Sequence, residues 1–279
     1  SVMVKAFLES DIIDFTEIAR RVRSTVLDLI YGTKSPHIGS SFSTVELLVA
    51  LYFGCLNVDL RRPASPSRDR FILSKGHGCP ALYAVLVEKG FLAKADLAGF
   101  AIDDGCLEQH PLMDRNKGIE ISTGSLGHGL SIGVGMSLAA MRDENPYRVF
   151  VLLGDGELNE GSVWEAIMFA SHHRLDNLTA IVDYNKIQAL GRVEEILDPE
   201  SIIARWSSFG WATREITGHN FEEILTATND LPFEQGKPSV IIAHTVKGKG
   251  VSFMENKLLW HYRVPDDHEY NMARKEIFK

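Results

Sequence analysis

A carboxylate and an amide stand where two apolar runs of the chain end. One run stops at Gly154-Asp155-Gly156, and a second run further along is followed by Asn185. Carboxylate and amide oxygens are hard ligands that suit Mg²⁺ or Ca²⁺ better than a soft metal. Mg²⁺ usually shares its shell with phosphate oxygens, and glycines beside the carboxylate would let a diphosphate approach the backbone. These residue types favour a site for a metal ion and a diphosphate, although an Asp-Gly turn alone is common.

Four histidines, His37, His77, His110 and His261, lie outside the apolar runs and could take part in chemistry. His77 is flanked by glycines directly after an apolar run, and such a strand-to-helix turn exposes N–H groups that suit an anion. The other three lie in irregular segments. An ordinary turn or a surface histidine explains each of them at least as well on residue type alone, so their roles need further evidence.

The elements around the two apolar runs follow a strand–helix–strand pattern. Residues 149–153 and 178–184 are typical of buried strands, and residues 161–173 have the apolar spacing of a helix. A strand, a crossover helix and a parallel strand would bring Gly156 and Asn185 to neighbouring strand ends, where doubly wound sheets bind ligands. We therefore predict an α/β fold in which helices flank a doubly wound, mainly parallel sheet.

The remaining elements are predicted from periodicity and from turn residues. Ser43 with Glu46 three residues later has the spacing of a capping box at a helix start, and a loop containing His37 precedes it. Strands are expected at residues 69–74, 211–216 and 238–246, and helices at residues 12–31, 43–53, 80–89 and 129–141.

Length and composition bound the class of protein. The chain has 279 residues, 45% of them apolar, and no repeat or low-complexity linker divides it. We expect one domain over residues 1–265, followed by a C-terminal tail over residues 266–279. A net charge of −8 without a basic run argues against nucleic-acid binding.

Cysteine usage and hydropathy indicate the compartment. Cys55, Cys79 and Cys106 are odd in number and widely spaced, which fits a reducing cytoplasm better than a disulfide framework. No uninterrupted apolar run approaches membrane length, and the N-terminus lacks the pattern of a signal peptide. We therefore expect a soluble cytoplasmic protein that does not bind membranes.

Two other sequence patterns, one catalytic and one for dinucleotide binding, are incomplete or wrongly placed in this chain. Residues 129–133 have the Gly-x-Ser-x-Gly spacing of a nucleophile elbow, which needs a strand before it and a helix after it. Ser131 instead lies inside a predicted helix, which argues against a hydrolase. Gly127 and Gly129 begin a dinucleotide-binding pattern, but the third glycine position holds Ile132.

Taken together, the motifs resemble those of the transketolase family. Gly154-Asp155-Gly156, 28 further residues and Asn185 resemble the thiamine diphosphate motif. Two segments are similar to transketolase sequences, most closely to the N-terminal subunit of two-chain enzymes. They are Gly-Asp-Gly-Glu-Leu-Asn-Glu-Gly and, further along, Asp-Tyr-Asn-Lys-Ile-Gln. The resemblance covers residues 18–265 and implies a fold that holds the diphosphate end of thiamine diphosphate.

The resemblance implies ligands at the matching positions. Asp155, Asn185 and the carbonyl of Ile187 would bind Mg²⁺, for which Ca²⁺ could substitute. The residues that would bind thiamine diphosphate are Ser40, His77, Gly124, Ser125, Leu126, Asp155, Gly156, Glu157, Asn185, His244 and His261.

The implied reaction is the transfer of a two-carbon ketol unit from a ketose phosphate to an aldose phosphate. His37 and His261 would stabilise a developing alkoxide and move protons, and His110 would bind substrate hydroxyls. In this family the glutamate that activates the cofactor belongs to a pyrimidine-binding domain, and no part of this sequence resembles that domain. The resemblance therefore implies a partner chain, the C-terminal transketolase subunit, in a heterotetramer of two plus two chains.

Two departures from the family pattern leave alternatives open. His244 stands where many relatives carry a lysine, and Tyr262-Arg263 follow His261 where glycine is usual. A cation at Arg263 suggests a substrate mouth shaped for an acidic group. One alternative is another thiamine diphosphate-dependent ketol transferase or synthase, with an acidic or branched sugar or of the deoxyxylulose phosphate synthase type. The other is a non-catalytic protein that kept the cofactor fold.

Overall fold

Five parallel strands form one sheet in the part of the chain that the structure describes. The computed structural model describes residues 9–145, 147–197 and 201–279, with side chains from Asp14 on. The strands are β1 (Arg70–Leu73), β2 (Val149–Gly154), β3 (Leu178–Tyr184), β4 (Ala212–Thr217) and β5 (Ser239–His244). Their order in the sheet is β1-β2-β3-β5-β4, and each neighbouring pair is parallel. The carboxyl ends of all five strands therefore meet at the same edge.

Helices connect the strands and cover both faces of the sheet. Within the described ranges they are α1 (Glu9–Thr33), α2 (Ile38–Phe42), α3 (Val45–Ala50), α4 (Cys79–Lys89), α5 (Gly129–Arg142), α6 (Gly161–His172), α7 (Val193–Ile196), α8 (Ile202–Ser208), α9 (Phe221–Asn229) and α10 (Asp267–Ile277). The strands and the longer helices predicted from periodicity are present, with ends displaced by a few residues.

Alternation of side chains along each strand builds two apolar cores, one on each face of the sheet. In β2, Phe150 and Leu152 belong to one core, whereas Val149, Val151 and Leu153 belong to the other. The first core is completed by α1, α3, α4 and α9, and the second by α5, α6 and α8. The predicted doubly wound α/β fold is confirmed, because helices flank both faces of a parallel sheet.

The segment between α1 and β1 differs from the prediction. Residues 35–40 are not all loop, since α2 begins within them, and the single helix expected over residues 43–53 is α3 followed by a π-helical turn, Leu51–Cys55. By length and composition, Ile38–Cys55 is apolar enough to cross a membrane, contrary to our expectation from the sequence. It is 83% buried inside the fold, however, as is typical of a core segment.

The capping box predicted for Ser43 and Glu46 is wrong, because both side chains have partners far away in the sequence. Ser43 Oγ donates to Asp183 Oδ2 of β3 at 2.7 Å. Glu46 instead pairs with Arg23 of α1 at 2.8 Å. Both carboxylates, Asp183 and Glu46, are buried, so tertiary contacts replace the local hydrogen bonds that the spacing suggested.

The C-terminal segment, predicted as an appended tail, forms α10 and packs on α1. The Asp266 side chain accepts a hydrogen bond from the backbone N–H of Glu269 at 2.8 Å and begins the helix. Ala273 and Ile277 are buried in the first core, and Tyr270 stacks on a tyrosine of α1 with ring centroids 4.2 Å apart. The segment is therefore attached to the domain that precedes it.

Glu46 joins three parts of the fold through a buried network. Arg23 donates to its carboxylate at 2.8 and 3.0 Å, and His219 Nδ1, after β4, lies 2.8 Å from it. The other ring nitrogen of His219 accepts the N–H of Val246 at 2.8 Å, so the neutral ring donates to Glu46 through Nδ1. Burial opposes the charge of Glu46, but Arg23 and His219 outweigh it and lower its pKa to about 2.

Glu46→Gln is expected to lower the free energy of unfolding by about 3–5 kcal/mol, because it leaves a buried guanidinium without an ionised partner. Urea unfolding of the purified chain measures the change. Glu17→Gln is the matched control: its pair with Arg20 is exposed, and such pairs contribute about 0–1 kcal/mol. Equal losses of unfolding free energy for the two variants would contradict the stabilising role of the buried Glu46–Arg23 pair.

The depressed pKa of Glu46 also gives this effect a pH dependence. A carboxyl whose folded pKa lies below its ordinary value of 4.5 stabilises the fold fully above that value. The contribution is lost as the pH falls toward 2, the folded pKa. The difference in the free energy of unfolding between wild type and Glu46→Gln should therefore stay constant down to about pH 5 and become smaller below it.

Candidate active site

A cavity of about 290 Å³ opens at the edge of the sheet where the strands end. Its walls come from the residues that follow β1, β2, β3 and β5, from the start of α2, from the loop before α5 and from the helical turn Leu258–His261. This crevice at the carboxyl ends of parallel strands is the place where doubly wound sheets bind ligands.

Asp155 and Asn185 lie at neighbouring strand ends, as predicted. The two oxygens of the Asp155 carboxylate accept the N–H groups of Gly156 at 2.7 Å and Lys186 at 2.6 Å. The Asn185 side-chain oxygen accepts the N–H of Ile187 at 3.1 Å. Since carboxylate and amide oxygens have two lone pairs each, all of them can accept a further ligand.

A second buried carboxylate, Asp183, is held by Lys75. Lys75 Nζ lies 2.5 Å from Asp183 Oδ2 and donates to the carbonyl of Ser40 at 2.9 Å. Burial opposes the ionisation of Asp183, but Lys75 and the Thr245 hydroxyl outweigh it and keep the pKa below its usual value. The pKa of Asp155 is raised, by burial first and then by the charge of Asp183. The two carboxylates together therefore suit an additional positive charge beside Asp155.

Lys247 brings a second buried ammonium group to the cavity wall. Its Nζ donates to the carbonyl of Ile187 at 2.8 Å and lies 2.8 Å from His261 Nδ1. An ammonium group has only donors, so His261 Nδ1 must accept, and the neutral ring carries its proton on Nε2. Burial, followed by the charge of Lys75, lowers the pKa of Lys247, while Asp155 acts in the opposite direction.

His37, His77 and His261 form a cluster of rings in this cavity. The ring centroids are 5.2 Å apart for His37 and His77, 5.1 Å for His37 and His261, and 6.0 Å for the third pair. Burial is the main reason that each pKa is lowered, to about 4 for His37 and about 3 for His261, and nearby cationic groups lower it further. All three rings are therefore neutral near pH 7 and can both donate and accept hydrogen bonds.

His37 adopts a backbone conformation that side-chain-bearing residues rarely take. Its φ of 76° and ψ of 26° are left-handed, and its N–H donates to the carbonyl of His261 at 2.9 Å. Its Nδ1 is buried without a hydrogen-bond partner. Strained residues of this kind cluster at ligand sites, because the surrounding structure must hold them in place.

Two more buried polar atoms beside the cavity have no hydrogen-bond partner in the described structure, Gln188 Nε2 and Thr123 Oγ1. A Cβ on Gly156 would come within 3.0 Å of the Gln188 side chain, and one on Gly76 within 2.8 Å of Thr123 Oγ1. The two glycines therefore allow these polar groups to approach the strand ends. Buried polar groups normally have partners, and a polar ligand in the cavity could supply one to Gln188.

The structure brings most of the predicted site residues to the cavity. Those that line it are His37, Ser40, His77, His110, Gly124, Leu126, Asp155, Gly156, Glu157, Asn185, Ile187 and His261. Ser125 and His244 do not line it. Ser125 is exposed in the adjoining loop, and His244, at the end of β5, lies 3.4 Å from Glu215 of β4 and packs on Tyr184. After β5, the lysine that lines the cavity is Lys247, three residues beyond the end of the strand.

Glu157 lines the cavity, but the protein itself uses its carboxylate. It accepts the hydroxyl of Ser74 and the N–H groups of Gly127 at 2.9 Å and Gly154 at 3.1 Å. Burial raises its pKa, and these hydrogen bonds act against the rise. Glu157 therefore joins the residue after β1, the loop before α5 and the end of β2.

The polar lining residues outside the predicted set are Lys75, Gln188, Lys247 and Tyr262. The two lysines could have been found from the sequence, because each follows a strand end within three residues and parallel strands all end at one edge. Lys249 resembles Lys247 in sequence but pairs with Glu255 at 3.3 Å outside the cavity. Gln188 carried no such signal.

Several known proteins are similar to this chain in sequence. The family described as "Transketolase, thiamine diphosphate binding domain" matches residues 15–277. An apulose-4-phosphate transketolase subunit of Phocaeicola vulgatus is 42% identical over 255 residues, which are 91% of this chain and 90% of that protein. The 6-deoxy-6-sulfo-D-fructose transketolase subunit SqwG of a Clostridium species is 43% identical over 267 residues, which are 96% of this chain and 97% of that protein.

Solved structures agree with the sequence relatives. The transketolase of Campylobacter jejuni has a TM-score of 0.85 and 27% identity, over 98% of this chain. This chain spans 43% of the length of that enzyme. The family match covers nearly all of the sequence and confirms the resemblance drawn from the motifs. The chain belongs to the transketolase family, as a member that carries its thiamine diphosphate-binding domain.

Proposed function

We propose that this chain is the N-terminal subunit of a thiamine diphosphate- and Mg²⁺-dependent transketolase that acts on sugar phosphates in the cytoplasm. It would transfer a two-carbon ketol unit from a ketose phosphate to an aldose phosphate. The observation that carries the proposal is the cavity in which the oxygens of Asp155, Asn185 and Ile187 lie near a cluster of neutral histidines. Relatives of similar length that are named as transketolase subunits support a division of the enzyme between two chains.

The oxygen donors at the strand ends fit a hard divalent cation. Asp155, Asn185 and the Ile187 carbonyl line one cavity, and the donor set contains neither sulfur nor nitrogen. The Ile187 carbonyl accepts a hydrogen bond from the Lys247 ammonium at 2.8 Å, and its second lone pair can bind a metal ion. These residues would hold Mg²⁺, or Ca²⁺ as a substitute, with diphosphate oxygens completing the coordination shell.

The same wall offers donors for a diphosphate. Gln188 Nε2 is a buried donor without a partner, and Lys247 and His77 supply further N–H groups around it. Gly156 leaves the necessary space, because a Cβ there would press on the Gln188 side chain at 3.0 Å. We therefore assign the diphosphate of the cofactor to the part of the cavity between His77 and Gln188.

When bound, thiamine diphosphate supplies an electron sink for breaking the carbon–carbon bond beside the ketose carbonyl. The residues of this chain orient the substrate and move protons. His261, with its proton fixed on Nε2 by Lys247, can donate a hydrogen bond to a developing alkoxide. His37, whose Nδ1 lacks a partner, can exchange a proton with a substrate hydroxyl, and His110 on the exposed side can bind hydroxyls.

His261→Ala is expected to lower kcat roughly 10²–10⁴-fold, the usual effect of losing one acid–base or oxyanion contact. Affinity for thiamine diphosphate should fall much less, because the proposed role is at the reacting end. Steady-state kinetics and calorimetry on the reconstituted complex separate the two effects. His268→Ala is the control, since His268 is exposed on α10 outside the cavity. Full activity of His261→Ala with the best donor would make His261 a structural residue.

The proposed reaction is tested by following carbon atoms. The complex receives a ketose labelled with ¹³C at C1 and C2, together with an unlabelled aldose phosphate. We expect both labels in a new ketose that is two carbons longer than the aldose. Two relatives are named for apulose 4-phosphate and 6-deoxy-6-sulfo-D-fructose, so the donor panel includes these sugars and tests the acidic or branched alternative. Label that remains in every donor would overturn the proposal.

The partner that we propose is a C-terminal subunit with the pyrimidine-binding domain, in a heterotetramer of two plus two chains. The neighbouring helices α5 and α6 expose large apolar side chains, including Ile132, Met168 and Phe169. Clusters of exposed apolar residues often mark protein interfaces. Closed two-fold assemblies are the commonest way to bury such a face.

A further inference from the structure

The residue that follows His261 extends the histidine cluster toward solvent. Tyr262 lines the cavity, and its ring lies 4.6 Å from the His261 ring and 5.6 Å from the His37 ring, measured between centroids. His261 is buried, whereas Tyr262 is 60% exposed. The tyrosine ring therefore lies between the buried histidines and solvent, at the opening of the cavity.

Arg263, the next residue, is held away from this opening. Its guanidinium lies 2.8 Å from the carboxylate of Glu269 in α10 and 5.0 Å from the ring centroid of Trp260. Glu269 also accepts the N–H of Asp266 at the start of that helix. Arg263 does not line the cavity. The expectation of a cation for an acidic group at this position therefore does not fit the contacts of Arg263.

We propose that Tyr262 determines substrate specificity by contacting the hydroxylated carbon chain of the ketose, and that Arg263 does not bind the anionic end of the ketose. The inference rests on the proposed function and names the part of the substrate that this subunit recognises. The two residues are neighbours in sequence but face different partners, one the cavity and the other α10.

The chemistry of a tyrosine ring suits this role. A sugar chain presents C–H groups between its hydroxyls, and an aromatic face packs on them while the phenol rim stays in water. The ring is also positioned before a substrate arrives, because it packs on the rings of His261 and His37. A contact of this kind grows with the number of carbons beyond the bond that breaks, and it does not depend on the charge at the end of the chain.

The test compares three donors with the reconstituted complex: erythrulose, with four carbons, fructose, with six, and fructose 6-phosphate, which adds an anion. Tyr262→Ala should lower kcat/KM about tenfold, by the same factor, on the two six-carbon ketoses, and less than about twofold on erythrulose. Tyr262→Phe should stay within about threefold of wild type on all donors, because the ring is retained. Arg263→Gln should stay within about twofold on every donor, since the guanidinium does not reach the cavity.

Several results would overturn the inference. An equal loss on erythrulose would mean that Tyr262 only holds the histidines in place. No loss on the six-carbon ketoses would exclude the chain contact. A loss with Arg263→Gln confined to fructose 6-phosphate would assign the anion to Arg263. Absence of ketol transfer by the wild-type complex with these donors and with every donor of the labelling panel would instead refute the proposed function, and thermal midpoints of the variants check that each has folded.

Discussion

Asp155→Ala is expected to weaken the binding of thiamine diphosphate in the presence of Mg²⁺ by about 100-fold or more. Removing even an outer partner of a metal ligand costs about 10–100-fold in affinity, and Asp155 is the carboxylate of the proposed donor set. Without it, a metal ion beside Asn185 and Ile187 has no charged ligand from the proposed set. Calorimetry on the reconstituted complex, with Mg²⁺ and with a chelator, measures the loss.

Two further variants separate metal binding from loop structure. Asp155 also accepts the N–H groups of Gly156 and Lys186, so alanine removes loop contacts together with the charge. Asp155→Asn keeps one oxygen acceptor and should still lose most of the Mg²⁺-dependent affinity. Glu222→Ala removes an exposed carboxylate on α9, outside the cavity, and should change nothing. Unchanged affinity in Asp155→Ala would refute the metal assignment.

The sheet and the position of the cavity could be predicted because they depend on local patterns with a single geometric consequence. Apolar runs followed by glycine or asparagine indicate buried strands, and a helix between two such runs makes them parallel. All strand ends then share one edge. Asp155, Asn185 and His77 follow three different strands, so the sequence was sufficient to bring them to one cavity.

The partners of buried charges could not be predicted, because they come from distant parts of the chain. Lys75 pairs with Asp183, and Glu46 with Arg23, although nothing in the local sequence links the members of either pair. In the second case a local pattern, the capping box, pointed to the wrong partner. Burial makes an unpaired charge costly, so tertiary pairing prevails over a helix cap.

The direction of the side chains at and after the end of β5 also could not be predicted from the sequence. His244 and Lys247 both follow the same apolar run, yet only Lys247 lines the cavity. Tyr262 and Arg263 are adjacent, and the arginine is withdrawn by Glu269 of α10, a helix whose residues the sequence predicts only as a tail. A change of one residue along an irregular segment redirects the side chain, and no periodicity predicts the outcome.

The second large effect concerns the partner subunit: this chain alone should show no ketol transfer. The described cavity supplies ligands for a diphosphate and a metal ion, but its acidic lining residues are Asp155 and Glu157. Asp155 is assigned to the metal, and Glu157 accepts hydrogen bonds from three parts of the wall. Neither is free to activate the cofactor ring, and we therefore propose that the partner subunit provides that carboxylate and the other wall. The gain on adding the partner should exceed about 10³-fold, because general acid–base catalysis and enclosure are both absent without it.

The measurement that tests this account most directly is ketol transfer by a rigorously pure preparation of this chain, titrated with the complementary pyrimidine-domain subunit. Thiamine diphosphate and Mg²⁺ are present throughout, and the mass of the assembly is recorded at each ratio. We predict no transfer from the single chain, a linear rise with added partner, and saturation at one partner per chain in a particle of two plus two. Full transferase activity in the single chain, or no activity at any ratio, would contradict the account.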